Sequence, residues 1–478
     1  MTSILKPSSV WRSSVHSFGF FPYRAFLFAV IIMLVSPAPT PAAQWTLQPR
    51  ASVQGEYTDN LFLTPDNEKD DYLITTSVGL TAGVAGQTAE ASFSYDPSYA
   101  WYDEYAENNG WRHNASLLAG WDISKNTRLD FSDYFVHTED PLSEQEIDVL
   151  RGLVPPPQAD TTVRIDRRPY SRNVGRLALN HRFGEYDRVF ADYSYTTLNN
   201  EDDVNYEDSQ GHRAGAGITY YFTFRWGFDL NGNYTRGTFD QDNEYGGTPT
   251  SDFENWGGNI RLLHRFTKNL EGYIQYTHNY QAFTDETQND YHVYAPSIGI
   301  DYAIQEDIQF LASGGYSVRK FEDAAREELF QELDRGSGWT FNLDLIKTLR
   351  RGFYRLTASS GYDQTYFTNQ NLGFTRYYLA GLTADYEIFR RFYGDIFGFY
   401  RRNEYEDPDQ DELERLQPQR QDDVYRAGVG LAYTPTRWMR IRAGYSYRNL
   451  ESTRPENDYI ENRGTLTFSF APDQPYRF

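Results

Sequence analysis

Arginines and carboxylates are the side chains of this sequence best suited to chemistry, and they recur at alternate positions of short segments. Alternate residues of a β-strand point to the same side, so these charges would share one face. Isolated charges in a dry interior are unfavourable, so this face must contact water or be mutually paired. The residues that we predict to line a lumen are Arg50, Glu90, Arg213, Asp229, Arg261, Glu271, Asp344, Arg355, Arg376, Asp385, Arg426, Arg440 and Arg442.

Two interpretations of this charged face remain open. In the first, it lines a polar conduit, in which the C-terminal arginines form a locally basic stripe. In the second, the charges pair with one another and have a purely structural role. The alternating segments of this chain predict a barrel of about 20 strands. Barrels of 16–18 strands already enclose an aqueous channel, so a barrel of this larger size favours the conduit.

Signals for catalysis or metal binding are poor. Asp407, Asp409 and Asp411 have the opening spacing of a calcium loop, but Glu412 replaces the required glycine and Pro418 stands where the bidentate glutamate belongs. The histidines beyond residue 43 form no helical metal-ligand pair, and no nucleophile-elbow motif accompanies them. The chain has no cysteine. We therefore predict no metal, no cofactor and no enzymatic activity.

The net charge of −22 restricts the possible partners. The first 43 residues contain three basic residues and no acid, so the rest of the chain is still more acidic. Binding to nucleic acid through its phosphates requires clustered lysines and arginines. We therefore expect no nucleic-acid partner.

The N-terminal segment has the three-part layout of a secretory signal peptide. Basic residues precede an apolar run at 25–35, which is followed by prolines and small residues ending at Ala42 and Ala43. This run is shorter than the roughly 20 residues that a membrane-spanning helix needs. We predict a signal peptide at 1–43 and a β-barrel of the outer membrane at 44–478; the alternative for the first segment is an uncleaved anchor.

Short alternating segments follow one another from Trp45 to the C-terminus, which predicts an all-β protein. Each segment reaches the 9–11 residues that a tilted transmembrane strand requires. The fold class that we predict is a transmembrane antiparallel β-barrel of about 20 strands (18–20). We place the strands at 45–57, 72–84, 89–102, 113–123, 128–137, 170–183, 188–197, 211–222, 226–236, 253–266, 269–281, 291–304, 307–319, 338–347, 353–362, 373–386, 392–402, 423–433, 438–448 and 462–470.

The connections between these segments distinguish a membrane barrel from a soluble sandwich. They alternate between short turns, such as 267–268, and long loops, such as 403–422. Short periplasmic turns and long external loops are typical of bacterial outer-membrane barrels. Aromatic residues gather at the segment ends, as the girdles at the two membrane interfaces require. We therefore predict location in the bacterial outer membrane.

The longest connection, 138–169, is a candidate constriction loop. It contains Leu150, Leu153, Val154 and the stiff sequence Pro155-Pro156-Pro157. An apolar loop of this length could fold inward and narrow the channel, or it could form a surface flap. The sequence leaves both possibilities open.

The first strand–loop junction carries a family resemblance. It reads Gly55-Glu56-Tyr57-Thr58-Asp59-Asn60-Leu61-Phe62-Leu63-Thr64-Pro65, followed by Asp70-Asp71 before the next strand. This resembles the opening of the second family of outer-membrane β-barrel porins, in which Tyr-Asp-Asp-Asn precedes an aliphatic and an aromatic residue; here Thr58 replaces the first Asp. The resemblance implies association with exopolysaccharide export, and it supplies no catalytic residues.

Three functions are compatible with these observations. The first is a passive or partner-gated pore for polysaccharide export or passive solute passage, and the second is a non-conducting barrel that anchors a surface polymer or partner proteins. Energy-coupled uptake is disfavoured, because the first predicted strand directly follows the predicted cleavage site and leaves no room for a plug. The expected partners are the lipid bilayer and lipopolysaccharide, the barrel-assembly machinery (which a terminal Phe478 would suit), a polysaccharide and periplasmic export components.

Overall fold

The structure, a computed structural model, describes residues 43–140, 167–201, 208–239, 252–284, 290–322, 337–365, 373–405 and 420–478. The predicted signal peptide lies outside the described residues apart from Ala43, so it stays a prediction. Within the described ranges, no helix is both long and apolar enough to cross a membrane.

Antiparallel strands make up nearly all of the described chain, together with two single-turn 3-10 helices at Ala106–Asn108 and Pro455–Asn457. The strands are β1 (Gln44–Thr58), β2 (Asp71–Ala85), β3 (Ala89–Tyr102), β4 (Gly110–Ser124), β5 (Thr127–Thr138), β6 (Tyr170–Arg182), β7 (Arg188–Asn200), β8 (Ser209–Tyr221), β9 (Trp226–Phe239), β10 (Phe253–Arg265), β11 (Leu270–Phe283), β12 (Tyr291–Gln305), β13 (Ile308–Phe321), β14 (Ser337–Leu349), β15 (Gly352–Thr365), β16 (Gly373–Phe389), β17 (Phe392–Tyr405), β18 (Gln421–Thr436), β19 (Met439–Ser452), β20 (Tyr459–Phe470) and β21 (Tyr476–Arg477).

Pairing between the first and last long strands closes the sheet into a barrel. Each of β1 to β19 pairs with the next strand along the chain, and Ala51–Thr58 of β1 pairs with Arg463–Phe470 of β20. The short β21 adds to β1 at Thr46 and Leu47. Closure gives every long strand two hydrogen-bonded neighbours, which is the condition for a sheet to cross a bilayer. The predicted antiparallel barrel of twenty strands is confirmed.

The connections alternate in length around the whole barrel. Those at one end, such as 125–126 and 183–187, have two to five residues, whereas those at the other end have six to thirty-one. We refer to these as the short-turn end and the long-loop end. The predicted strand limits differ from the observed ones by four residues at most, mainly because the strands continue further at the long-loop end. There they extend beyond the length that a bilayer requires.

The outer face of the barrel is apolar and exposed. Val78, Ile274 and Ile298 are 66, 63 and 65% exposed. Apolar surface of this extent is stable against lipid rather than water. An exception is Asp133, whose carboxylate accepts a hydrogen bond from Asn173 Nδ2 at 3.1 Å.

Aromatic rings bound this apolar band on both sides, as predicted. Near the long-loop end, the rings of Tyr234 and Trp256 are 4.4 Å apart, and those of Tyr316 and Trp339 are 5.2 Å apart. Near the short-turn end, Trp226 packs on His264 with ring centroids 4.2 Å apart. Rings of this kind occupy the two membrane–water interfaces.

Neighbouring residues of β14 offer a test of the two faces. Leu343 faces outward and Asn342 faces inward, and both are exposed. We expect Leu343→Arg to lower the free energy of unfolding in phospholipid vesicles by about 2–4 kcal/mol, because the cation would face hydrocarbon. The matched control Asn342→Arg should cost less than about 1 kcal/mol, because that face is polar. Denaturant titration measures both values, and equal losses would contradict the assignment of faces.

Candidate functional site

The polar side chains identify the inner face, because they meet across strands that are not neighbours. Arg50 on β1 forms an ion pair with Asp96 on β3. Arg442 on β19 forms a bidentate pair with Asp395 on β17, with N–O distances of 2.6 and 2.7 Å. A closed sheet brings such residues together on its concave side. This side is therefore the wall of the lumen.

Each of these ion pairs passes over a glycine of the intervening strand. A Cβ added at Gly79 would overlap the Arg50–Asp96 pair, and one at Gly430 would meet both members of the other pair. At Gly120, an added Cβ would overlap the Arg128 guanidinium, which lies 2.6 Å from Glu90. The missing side chains create the space in which residues two strands apart can pair.

Twelve of the thirteen residues predicted to line the lumen lie on the inner face. They are Arg50, Glu90, Arg213, Asp229, Arg261, Glu271, Asp344, Arg355, Asp385, Arg426, Arg440 and Arg442. Their contribution to passage stays a prediction.

Several of these residues have well-defined polar partners. Arg355 donates from Nε and Nη2 to the Asp344 carboxylate at 2.7 and 2.9 Å. Glu271 accepts hydrogen bonds from Tyr221 Oη at 2.7 Å and from Arg265 Nε at 3.0 Å. The wall is thus a set of paired charges, of which the Asp344–Arg355 pair joins two predicted residues.

Aromatic rings complete the environment of other arginines. Arg261 donates to Gln275 at 3.0 Å, and its guanidinium lies 4.5 Å from the centroid of the Tyr273 ring. The Arg440 guanidinium lies 5.8 Å from the Tyr393 ring. Because Arg442 is paired with a carboxylate, the predicted basic stripe is partly neutralised.

Sequence reasoning missed three charged partners on this wall, namely Arg128, Arg265 and Asp395. Each follows the alternation of its own strand and lies toward the short-turn end of β5, β10 or β17. Following that alternation through to the strand ends would have found them.

Arg376 differs from the other predicted residues, because it lies at the mouth of the barrel. Beyond the Phe341–Ser360 pair, β15 no longer pairs with β14. Arg376, on β16, donates instead to Ser337 O at 2.5 Å and to Ser317 Oγ at 3.3 Å. The end of the β15–β16 hairpin therefore leans over the inner face of β13 and β14.

Aromatic contacts extend this hairpin end across further strands. Tyr362 Oη accepts a hydrogen bond from Asn279 Nδ2 on β11 at 2.9 Å. The Phe374 ring lies 4.0 Å from the Arg319 guanidinium and 6.0 Å from the Tyr291 ring. Tyr291 and Arg319 are 3 and 4% exposed. The hairpin end thus covers part of the inner wall at the long-loop end.

The β1–β2 loop, residues 59–70, also covers part of the inner wall at the long-loop end; we call it the inner loop. Leu63 packs in a buried cluster with Val424, Leu450 and Tyr459 of β18 to β20. Leu61 packs in a second cluster against residues of β2 and β3. Both leucines are almost fully buried, at 2 and 0% exposure. The inner loop therefore rests on the wall on both sides of β1.

Asn60 fixes the conformation of the inner loop. Its Nδ2 donates to Thr64 O at 2.8 Å and Ile460 O at 2.9 Å, and its Oδ1 accepts from Thr64 N at 3.0 Å. The neighbouring Asp59 accepts hydrogen bonds at 2.7 Å from both the backbone and the side chain of Asn462. These contacts tie the loop to β20.

A buried ionic network lies next to this attachment. Glu461, 1% exposed, accepts a hydrogen bond from Thr58 Oγ1 at 3.0 Å and pairs with Arg448 at 3.4 Å and Arg463 at 3.0 Å. Arg463 also pairs with Glu56 at 3.3 Å. Removing one member of such a network is strongly destabilising, because an uncompensated charge stays buried.

A second polar network holds the other side of the inner loop. Arg167 donates to Leu61 O and to Tyr102 Oη, both at 3.0 Å. Tyr102 in turn donates to Glu139 at 2.7 Å, and Arg112 Nη2 donates to the same carboxylate at 2.5 Å. The two ends of connection 138–169 thus contact the inner loop and the neighbouring wall.

The predicted constriction residues Leu150, Pro155, Pro156 and Pro157 lie outside the described residues. Their role stays a prediction. Among the described residues, the inner loop and the end of the β15–β16 hairpin narrow the lumen at the long-loop end. Sequence reasoning selected neither of them. The signal was available in the apolar run Leu61-Phe62-Leu63 within an acidic loop.

Metal chemistry finds no support in the described ranges, which contain no group of three or more His, Asp or Glu able to hold an ion. The predicted absence of metal, cofactor and enzymatic activity stays a prediction.

A closed barrel with an apolar belt, two aromatic girdles and a charged inner wall defines a porin-like β-barrel of the bacterial outer membrane. Residues 353–471, about a quarter of the chain, match the model of the family described as Putative beta-barrel porin 2. This confirms the predicted family resemblance through a different part of the chain from the 55–71 motif. In barrels of this class the short turns face the periplasm.

Solved outer-membrane barrels show a general likeness. A mutant of the ferric enterobactin receptor PfeA from Pseudomonas aeruginosa is 8% identical over 90% of this chain and 80% of its own, with a TM-score of 0.49. The siderophore receptor PirA from Acinetobacter baumannii is 7% identical over 89% and 80%, with a TM-score of 0.47. OpdK from Pseudomonas aeruginosa, solved with vanillate, is 10% identical over 89% and 98%, with a TM-score of 0.40. Among curated proteins, none matches this sequence.

The attachment of the inner loop to the wall can be tested by limited proteolysis. Asn60→Ala removes three hydrogen bonds, and we expect trypsin to cleave intact barrels after Lys69 at least about tenfold faster. The matched control Asp66→Asn changes an exposed residue of the same loop that is not next to Lys69, and it should leave the rate unchanged. Mass spectrometry of timed digests measures both rates. An Asn60 variant as resistant as the unmodified protein would show that these hydrogen bonds do not hold the loop.

Proposed function

We propose that the protein is a passive or partner-gated pore that conducts polar solutes across the outer membrane, with polysaccharide export as its specific task. The observation that carries the proposal is the inner wall of paired charges in a barrel of twenty strands. A circumference of this size exceeds what inward side chains can fill, and barrels of 16–18 strands already hold water. Charged side chains on such a wall are stable because water solvates them.

The exposure of the wall supports a water-filled lumen. Near the short-turn end, Arg128 contacts Glu90 at 2.6 Å, Asp130 at 2.7 Å and Asp122 at 3.3 Å. These four side chains retain 40 to 60% of their exposure despite their mutual contacts. Ion pairs this exposed contribute little to stability, so solvation by a wet lumen accounts better for their placement than a structural role does.

The chemistry of the wall suits a polymer rich in hydroxyl groups. Guanidinium groups donate hydrogen bonds and carboxylate groups accept them. A neutral or weakly charged polysaccharide can exchange hydrogen bonds along such a surface. The inner loop and the β15–β16 hairpin narrow the long-loop end, where partner proteins or the polymer itself would displace them.

We assign the proposed partners from two parts of the barrel, its outer face and its short-turn end. The aromatic girdles would contact the lipid bilayer and lipopolysaccharide, and the barrel-assembly machinery would insert the chain. Periplasmic export components would deliver the polymer to the short-turn end. A non-conducting barrel that anchors a surface polymer is the second candidate, and the covered long-loop end favours it.

Conductance in planar bilayers tests the proposal. We expect the purified protein to give stepwise currents, and Asn60→Ala to increase the conductance of each step because the inner loop is released. Glu68→Gln serves as the control for a change in the same loop. If pure protein with verified barrel structure gave no steps, and Asn60→Ala gave none either, the anchoring barrel would replace the pore.

Ion selectivity provides a second, independent prediction. Arg128→Gln leaves three carboxylates without their guanidinium, so we expect the reversal potential in a potassium chloride gradient to shift toward cation preference. Arg225→Gln removes the same charge from an exposed turn and should shift the potential less. An equal shift in both variants would mean that the Arg128 cluster does not face the conducting path.

A further inference from the structure

Strand β17 carries two adjacent apolar rings on the largely polar inner wall. Phe397 and Phe399 occupy consecutive inward positions of this strand, two and four residues beyond the inward Asp395. Both rings are partly exposed rather than buried. Apolar ring surface in a wet lumen is unfavourable without an occupant, and these two rings combine theirs at adjacent positions.

Glycines on the two neighbouring strands leave the space in which both rings lie flat against the wall. An added Cβ at Gly428 on β18 would overlap the Phe397 ring, and one at Gly381 on β16 would overlap the Phe399 ring. The two rings therefore lean in opposite directions onto neighbouring strands. Their centroids are 5.9 Å apart and their planes differ by 29°. The result is a nearly continuous apolar surface that extends over two ring widths.

Polar groups border this surface at both ends. Toward the short-turn end lies the bidentate Asp395–Arg442 pair. Toward the long-loop end, Arg401 donates from Nε to Asn403 Oδ1 at 2.8 Å. An occupant would thus need an apolar face for the rings and a polar rim for these groups.

We propose that Phe397 and Phe399 form a stacking site for sugar rings inside the lumen. A pyranose ring has a face of C–H bonds, which match the negative face of an aromatic ring, and a rim of hydroxyls, which match the bordering ions. The site rests on the proposed function and gives it a location on the wall. A purely apolar solute would leave the bordering ions unsolvated, so it fits this surface less well.

The position of the rings supports the same occupant. They lie below Arg401 and Asn403, which are 4 and 0% exposed. A chain that enters from the short-turn end therefore meets the rings before it meets the buried part of the mouth. The site would hold a polymer in place ahead of the narrowing.

Binding of linear hexasaccharides tests the site, with maltohexaose and cellohexaose as the probes. Isothermal titration of the detergent-solubilised full chain measures affinity, and hexasaccharide block of single-channel current measures residence time. We expect the double variant Phe397→Ala, Phe399→Ala to reduce both by about tenfold, because two ring contacts are lost. The double variant with leucine at both positions should lose nearly as much, because it retains apolar volume without a ring face.

Two controls separate stacking from other effects. Phe190→Ala removes an inner-wall ring that also lies against a glycine, Gly217, but on β7 and outside this surface, so it should bind as the unmodified protein does. Block by polyethylene glycol of matched size should be equal in all variants. Near-ultraviolet circular dichroism and heat-modifiable gel mobility verify that each variant forms the barrel.

The outcomes distinguish this site from the proposed function. Saccharide binding without conductance would retain the stacking site and overturn the pore. Conductance with no binding of either hexasaccharide, or with binding that both double variants retain, would overturn the stacking site and leave the pore. Equal loss in the Phe190 variant would assign the effect to the wall in general and would also overturn the site.

Discussion

The hydrogen-bonded closure of the sheet is the constraint on which the rest of this structure depends. In hydrocarbon, every backbone N–H and C=O must find a partner within the protein, so a sheet can cross the membrane only as a closed barrel. Pairing of β1 with β20 meets that condition. Closure then assigns the two sides of every strand, because alternate residues face lipid and the others face the interior of the barrel.

The polar interior is organised by glycines as much as by charges. Arginines and carboxylates that lie two strands apart pair over Gly79, Gly120 and Gly430. Elsewhere, Gly381 and Gly428 allow aromatic rings to lie flat on the wall. A side chain at these positions would hold the partners apart or raise the rings into the lumen. The ion pairs and the flat aromatic rings of the inner wall therefore depend on glycines as well as on charged residues.

The barrel could be predicted from the sequence because its determinants are local. Alternation places Asp344 and Arg355 on one face, and a two-residue turn such as 350–351 identifies a short end without any knowledge of the rest. At the mouth, the apolar run Leu61-Phe62-Leu63 marks the inner loop in the sequence. Where this loop packs could not be predicted, because its contacts join distant segments. Leu63 is buried by Val424, Leu450 and Tyr459, more than 350 residues away in the sequence. The position of Arg376 could not be predicted from alternation for the same reason. The end of the β15–β16 hairpin, which carries Arg376, no longer pairs with β14 and leans over the inner face instead.

The position of the inner loop has a kinetic consequence. The β1–β20 ladder spans only Ala51–Thr58 and is the shortest between neighbouring long strands. The inner loop leaves β1 directly beyond this ladder and packs against β18, β19 and β20. The inner loop therefore joins the two sides of the seam at which the first and last long strands meet. Separation of β1 from β20 at that seam must first extract the buried Leu63 from its cluster and break the ionic network that joins the two strands. Both contacts raise the barrier to unfolding more than the short ladder alone would.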